Sequence, residues 1–209
     1  MGLRAVVFDY GMVLSGPPDP TAKAHLARIT GLAPDFLEPL YWADRHAYDR
    51  GDLTGIQFWQ KLAEDARLSL SPDQLDELNL WDARMWTTEN PATLAWHQTL
   101  RDRGFETGIL SNMGDNVLAH MQANLPWLAD FDVRIWSYQH NMAKPEPEIY
   151  QLLLDQLGTA PEETLFLDDK IENIEAARHF GIRALQFSTI DQLRQDLITT
   201  RLDQWLPLP

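Results

Sequence analysis

The sequence of 209 residues contains no cysteine, which excludes disulfide bonds and thiolate metal sites. Basic residues are also scarce, with 17 Lys and Arg against 31 Asp and Glu, so the formal net charge is −14. A field of this sign repels phosphate-rich polymers, and we therefore expect neither nucleic acid nor an anionic membrane surface as a partner. A small anionic substrate would need positive charge placed locally.

Long apolar runs, internal repeats and low-complexity segments are missing as well. No stretch approaches the ~20 apolar residues of a membrane-spanning helix. The first residues lead straight into a strand-like segment and not into the apolar segment of a signal peptide, so we expect a cytoplasmic protein. The length and the 44% hydrophobic content suit one α/β core with a modest insertion.

Short apolar runs alternate with segments of helical periodicity along most of the chain. Runs typical of buried parallel strands occur at 3–8, 105–110, 131–136, 164–167 and 183–187. Helix signals separate them at 91–104, 115–124, 147–157 and 171–180. This alternation predicts the α/β class, with a doubly wound, Rossmann-like parallel sheet that binds ligands at the carboxyl ends of its strands.

One long helical segment interrupts this alternation after the first strand. The periodicity is helical from about residue 20 to residue 85, and two segments in it, Thr54-x-x-Gln57 and Ser71-Pro72-x-Gln74, resemble capping boxes. We predict a helical subdomain at 16–87, inserted into a core formed by 1–15 and 88–209. Its tryptophans at helical spacing are expected to pack inside it, namely Trp59, Trp81 and Trp86.

Polar residues follow the predicted strands at the edge where a ligand would bind. In chain order they are Asp9, Ser111, Asn112, Lys144, Asp168 and Asp169. Carboxylates that cluster without thiols or paired histidines favour a hard cation, and oxygen-only ligation suits Mg²⁺. The sequence therefore predicts a magnesium site at this edge.

The same residues indicate a phosphoryl-transfer chemistry. A carboxylate attacks a phosphate dianion only if their mutual repulsion is cancelled, and a metal ion on Asp9 and Asp169 together with the Lys144 ammonium would do this. Ser111 and the backbone N–H groups after it could hold another phosphate oxygen. The predicted course is attack by Asp9, an aspartyl phosphate, and hydrolysis by water.

These residues lie in four segments, at Asp9, Ser111-Asn112, Lys144 and Asp168-Asp169. The segments resemble the four motifs of the haloacid dehalogenase-like (HAD) hydrolase superfamily, and the resemblance covers essentially the whole chain. The resemblance implies that Asp9 is the nucleophile, that Ser111 and Lys144 are catalytic, and that Ser111, Asn112 and Lys144 bind the substrate. The small helical cap that such enzymes insert after the first strand is similar to the subdomain predicted above. A small phosphorylated metabolite, such as a sugar phosphate, is the implied substrate, and the oligomeric state stays open.

The resemblance also implies a set of metal ligands. They are the Asp9 carboxylate, the Gly11 backbone carbonyl and Asp169. Asp168 would act through a water molecule or support these ligands without touching the metal, and Asn173 would hold a metal-bound water. Mg²⁺ is the implied cofactor.

Gly11 departs from the usual phosphatase pattern of this superfamily. Its members commonly carry a second aspartate there, which protonates the leaving alcohol, and such help is worth about 10²–10⁴-fold in rate. Another acid from the insertion could replace it, with Asp44, His46 and Asp49 as candidates, or the leaving group could need little help, as in a glycosyl or acyl phosphate.

Two further readings of Gly11 stay open. The enzyme could break a carbon–halogen bond, since a halide leaves without a proton, or the chain could be a catalytically weak binding protein. The first motif is similar to that of a sugar-phosphate phosphatase branch with Asp-x-Gly, which favours a phosphatase. Dehalogenases resemble the chain less well, because they usually carry Asp-x-Tyr-Gly-Thr and do not depend on magnesium.

Overall fold

The computed structural model describes residues 2–209 and has a five-stranded parallel sheet at its centre. The strands are β1 (Ala5–Phe8), β2 (Glu106–Ser111), β3 (Val133–Trp136), β4 (Thr164–Asp168) and β5 (Arg183–Gln186), in the order β3-β2-β1-β4-β5. The register aligns Phe8 with Ile109 of β2 and with Leu167 of β4. Residues just beyond the carboxyl ends of these three neighbouring strands therefore meet at one edge, as the predicted α/β class requires.

Five helices lie between β1 and β2. They are α1 (Pro20–Thr30), α2 (Pro34–Ala43), α3 (Arg45–Arg50), α4 (Gly55–Asp65) and α5 (Pro72–Met85), and we call them the helical insertion. Both predicted capping boxes are confirmed, since the side chains of Thr54 and Ser71 accept hydrogen bonds from the N–H groups of Gln57 and Gln74. The division into a core and a cap at residues 16 and 87 stays a prediction.

The remaining helices cover the sheet on both faces. They are α6 (Pro91–Asp102), α7 (Asp115–Asn124), α8 (Ser137–His140), α9 (Pro147–Leu157), α10 (Ile171–His179) and α11 (Ile190–Thr199). Alternate residues of β1 serve opposite faces, because Val6 and Phe8 pack in one apolar cluster and Val7 in another. No helix of residues 2–209 combines the length and the apolar character needed to cross a membrane.

Two of these helices are not predicted by the sequence analysis. Helix α8 is a single turn, too short to show a helical period. Helix α11 follows the last strand, where Thr189 caps it and Leu193 and Leu197 form its buried side. The predicted strands agree with the structure to within two residues at each end.

Candidate active site

Three carboxylates meet at the carboxyl ends of β1 and β4. Each of Asp9, Asp168 and Asp169 has an oxygen within 4.8 Å of the others. Asp9 and Asp168 are buried, and Asp169 is partly exposed. An all-oxygen donor set of this size and charge fits a magnesium ion, which takes carboxylate ligands and retains water.

Lys144 is the counter-charge to this cluster. Its Nζ lies 3.0 Å from Asp9 Oδ1 and 2.6 Å from Asp168 Oδ2, and the residue is only 2% exposed. Asn112 fixes its backbone, because the amide oxygen accepts from Lys144 N–H and the amide nitrogen donates to the Lys144 carbonyl, both at 2.8 Å. Asn112 thus positions Lys144, and its predicted contact with substrate stays a prediction.

The cluster shifts the pKa values of its members. Burial raises the pKa of Asp9, and although the Lys144 ammonium opposes this, the charge of Asp168 adds to it and the net direction is upward. Burial followed by the charges of Asp9 and Asp168 raises the pKa of Asp169 to about 6. For Lys144, burial acts to lower the pKa, but the two carboxylates outweigh it and raise the pKa above its ordinary range. The site therefore holds more negative charge than Lys144 alone balances.

Asp168 and Asp169 differ in their surroundings. Both oxygens of Asp168 lie 3.0 Å from Asn173 Nδ2, and Oδ1 also accepts from the Lys170 backbone N–H at 2.8 Å. With Lys144 on Oδ2, Asp168 has protein donors on both oxygens, whereas the Asp169 side chain has no hydrogen-bond partner among residues 2–209. The Asp169 carboxylate is therefore open to a ligand, and the predicted roles of the two residues at a metal ion stay predictions.

A cavity of about 310 Å³ lies over the cluster, a size that suits a small ligand. Of the sequence-predicted residues, it is lined by Asp9, Gly11, Asp49, Ser111, Asn112, Lys144, Asp169 and Asn173. Asp168 lies buried beneath it, and Asp44 and His46 do not line it. Asp49 is therefore the single member of the three candidate acids that reaches the site.

The sequence analysis did not assign a site role to several other residues of this cavity. They are Tyr10, Met12, Pro18, Trp42, Arg45, Trp86, Met113, Val117 and Lys170. Trp86 was expected to pack inside the insertion, and it does contact the core, but it also forms part of the cavity wall. Lys170 stands directly after the acidic pair, a position that marks it as a candidate cation. Lys144 and Arg45 are the other basic residues of the lining.

Comparison with known proteins identifies the family of this chain. A family model described as haloacid dehalogenase-like hydrolase matches residues 52–181. The chain belongs to the haloacid dehalogenase-like hydrolase family. It is 30% identical to Phosphatase MT3486 of Mycobacterium tuberculosis, over 95% of this chain and 93% of that protein.

This HAD-like hydrolase is also similar to a second curated protein and, in its fold, to a solved structure. It is 30% identical to bifunctional epoxide hydrolase 2 of Sus scrofa over 94% of this chain, and spans 38% of the length of that protein. A HAD family enzyme of Bacteroides thetaiotaomicron, solved in complex with magnesium and inorganic phosphate, has the same fold with a TM-score of 0.74. It is 24% identical, with coverage of 88% of this chain and 94% of that one.

Helix α3 of this HAD-like hydrolase is hydrogen-bonded to the segments that follow the strands of the sheet. The Asp49 carbonyl accepts a hydrogen bond from Ser137 Oγ, and the same Oγ accepts from the Met113 N–H at 2.8 Å. Arg50 Nε donates to Glu146 Oε1 at 2.8 Å. These contacts hold α3 against the segments that carry Asn112 and Lys144.

Close packing at Gly114 adds to this attachment. A Cβ at Gly114 would overlap the ring of Tyr48, a fully buried residue of α3. The backbone of Gly114 has a negative φ of −75°, so the requirement for glycine is purely one of space. Tyr48 can therefore lie directly on the loop that follows β2.

Gly114→Ala is expected to lower the free energy of unfolding by about 1–3 kcal/mol, because the added methyl group forces Tyr48 and α3 away from the loop. Urea denaturation measures this difference. Gly11→Ala is the matched control, since Gly11 has a φ of −62° and its Cβ would meet nothing closer than Asp9 Oδ2 at 3.9 Å. Equal stability of Gly114→Ala and the control would show that Tyr48 does not press on this loop.

Proposed function

We propose that this HAD-like hydrolase is a magnesium-dependent phosphatase of a small phosphorylated metabolite, and that Asp9 forms an aspartyl phosphate. The observation that carries the proposal is the ion pair of Asp9 with Lys144 at 3.0 Å inside a cluster of three carboxylates. A carboxylate nucleophile, a fixed ammonium and an all-oxygen metal site together suit attack on a phosphate ester. The similarity to a mycobacterial phosphatase over nearly its full length supports the same reaction class.

Each residue of the site has a separate role in the proposed reaction. Tyr10 N–H and Lys144 Nζ both contact Oδ1 of Asp9, at 2.7 and 3.0 Å, so the carboxylate is held in place and Oδ2 is the oxygen left for attack on phosphorus. Lys144 and the Ser111 hydroxyl would contact the non-bridging phosphate oxygens, and Lys170 adds positive charge at the cavity. Asp9, Asp169 and the Gly11 carbonyl would hold Mg²⁺, which when bound neutralises negative charge on the transferring group.

A second candidate function is hydrolytic removal of a halide from a 2-haloacid. Gly11 favours it, because a halide leaves without protonation and the usual proton donor is missing. The same first step, attack by Asp9 on the substrate, would then occur at carbon. Tight clustering of Asp168 and Asp169 with Asp9 argues for a metal site and hence for the phosphatase.

Release of inorganic phosphate from a panel of sugar, alkyl and aryl phosphates tests the proposal. We expect turnover with magnesium and a loss of about 10²-fold or more with excess chelator, because the metal offsets the repulsion between two anions. Restoration by added magnesium is the control. Halide release from 2-chloropropionate that chelator leaves unchanged, with no phosphate release from any ester, would contradict the phosphatase and support the dehalogenase.

A further inference from the structure

The cavity needs a proton donor that Gly11 cannot provide. An alkoxide is a poor leaving group, and its protonation as the P–O bond breaks contributes about 10²–10⁴-fold in rate. Within residues 2–209, the cavity is lined by these ionisable side chains: Asp9, Tyr10, Arg45, Asp49, Lys144, Asp169 and Lys170.

The groups around Asp9 are already engaged. Asp9 is the proposed nucleophile and Asp169 belongs to the carboxylate cluster. Lys144 is bound to two carboxylates. Burial acts to lower the pKa of Lys144, but the two carboxylates outweigh burial and raise this pKa above its ordinary range. None of these three is free to serve the leaving group.

The remaining groups apart from Asp49 are unsuitable acids. Tyr10 donates its hydroxyl proton to the Trp86 carbonyl at 2.6 Å, and burial raises its pKa. The guanidinium of Arg45 does not give up a proton in proteins. An ammonium such as that of Lys170 is a much weaker acid than a carboxyl group.

We propose that Asp49 is the general acid that protonates the leaving oxygen and the general base that then activates water. This assignment rests on the proposed phosphatase function. It places the proton donor on the helical insertion, in the same cavity as the nucleophile, in place of the residue missing at position 11.

The structure fixes Asp49 for this role. Its Oδ1 accepts from Arg45 Nε at 2.9 Å, and Arg45 is held in turn by Asp82 through Nη1 and Oδ1 at 3.1 Å and by the hydroxyl of Tyr41. Its backbone carbonyl is bound by Ser137. The Asp49 side chain is 14% exposed, and Oδ2 has no hydrogen-bond partner among residues 2–209, so one carboxyl oxygen stays available to a ligand.

Asp49 also has a suitable acidity. Burial is the main cause that raises its pKa, and the charge of Asp82 acts in the same direction. The charges of Arg45 and Lys170 oppose them, and the resulting pKa of Asp49 is about 6. A carboxyl group in this range both gives and takes a proton near neutral pH. By contrast, Asp44 forms an ion pair with Lys61 at 3.3 Å away from the cavity lining.

The proton balance closes over the two steps. In the first, Asp9 forms a bond to phosphorus, the bond from phosphorus to the leaving oxygen breaks, and the proton of Asp49 moves to that oxygen. In the second, a water oxygen bonds to phosphorus, its proton goes to the Asp49 carboxylate, and the acyl phosphate bond of Asp9 breaks. One ester and one water give one alcohol and one phosphate, and Asp49 has its proton again.

First-turnover kinetics of Asp49→Asn test this role. We expect the first turnover of an n-alkyl phosphate to slow about 10²-fold or more, because its alkoxide must be protonated. The first turnover of p-nitrophenyl phosphate is expected to stay within about threefold of wild type, since its phenolate leaves unaided, and only later turnovers slow for lack of a base. A carboxylate added by Gly11→Asp in the Asp49→Asn protein is expected to restore the alkyl reaction at least tenfold, as the space around Gly11 permits.

Two more variants make the result decisive. Asp49→Glu is expected to keep the ion pair with Arg45 and with it the fold, and displacement of the acid by one methylene should slow the first turnover of the alkyl ester alone. Asp44→Asn should leave both reactions unchanged. Equal slowing of both esters in the two Asp49 variants, or an unchanged alkyl reaction, would overturn the assignment. Failure of the phosphatase itself would look different, because wild type would then release phosphate from neither ester.

Discussion

Asp9→Asn is expected to lower magnesium-dependent phosphate release by on the order of 10⁴-fold or more, for alkyl and aryl esters alike. The amide has nearly the shape of the carboxylate, but it lacks the charge and the nucleophilic oxygen that attack phosphorus. Because no aspartyl phosphate forms, even the first turnover is lost, in contrast to Asp49→Asn. Steady-state and first-turnover phosphate release measure the effect.

The fold of Asp9→Asn is expected to persist. Lys144 retains its contact with Asp168 at 2.6 Å, and removal of one negative charge relieves the repulsion between positions 9 and 168, which adds to the upward shift that burial causes in the pKa of Asp9. A melting temperature close to that of wild type is the check. Asp102→Asn, at an exposed carboxylate of α6 outside the cavity, should keep full activity. Full activity of Asp9→Asn would mean that Asp9 is not the nucleophile.

Lys144→Met is expected to lower the free energy of unfolding by about 3–5 kcal/mol, because it leaves buried carboxylates without their counter-charge. Asp9 and Asp168 both contact the ammonium, and Asp169 lies in the same cluster. Methionine fills much of the volume of lysine, so the lost charge and not a cavity causes the effect. Urea denaturation in chelator measures it.

The same variant is expected to lose about 10²–10³-fold in phosphatase activity, because a fixed positive charge no longer opposes the transferring phosphoryl group. Lys61→Met is the matched control. Lys61 forms ion pairs with Asp44 and Asp65 at 3.3 Å but is 42% exposed, so water and salt screen these pairs and its loss should leave the free energy of unfolding almost unchanged. Similar stability of the two variants would show that Lys144 is not the counter-charge of the site.

Much of the fold follows from local pattern. Buried strands appear in the sequence as short apolar runs, and the caps at Thr54 and Ser71 mark helix starts that the structure confirms. Helix α3 is different, because its six residues include charged, aromatic and small side chains with no clear apolar face. Its place against the site depends on contacts such as Ser137 with Asp49, separated by 88 positions in the chain.

Features of the site likewise separate into those that follow from the sequence and those that depend on tertiary packing. The sequence alone determined the family, the parallel sheet and the strand ends that carry Asp9, Ser111 and Asp168, because strand periodicity and motif order are local properties of the chain. Tertiary structure decided which insertion acid reaches the cavity, that Trp86 forms part of its wall, and that Asn112 locks Lys144. Those outcomes depend on how α3 and the β3–α9 connection pack on the sheet, and packing between segments distant in sequence leaves no periodic signal to read.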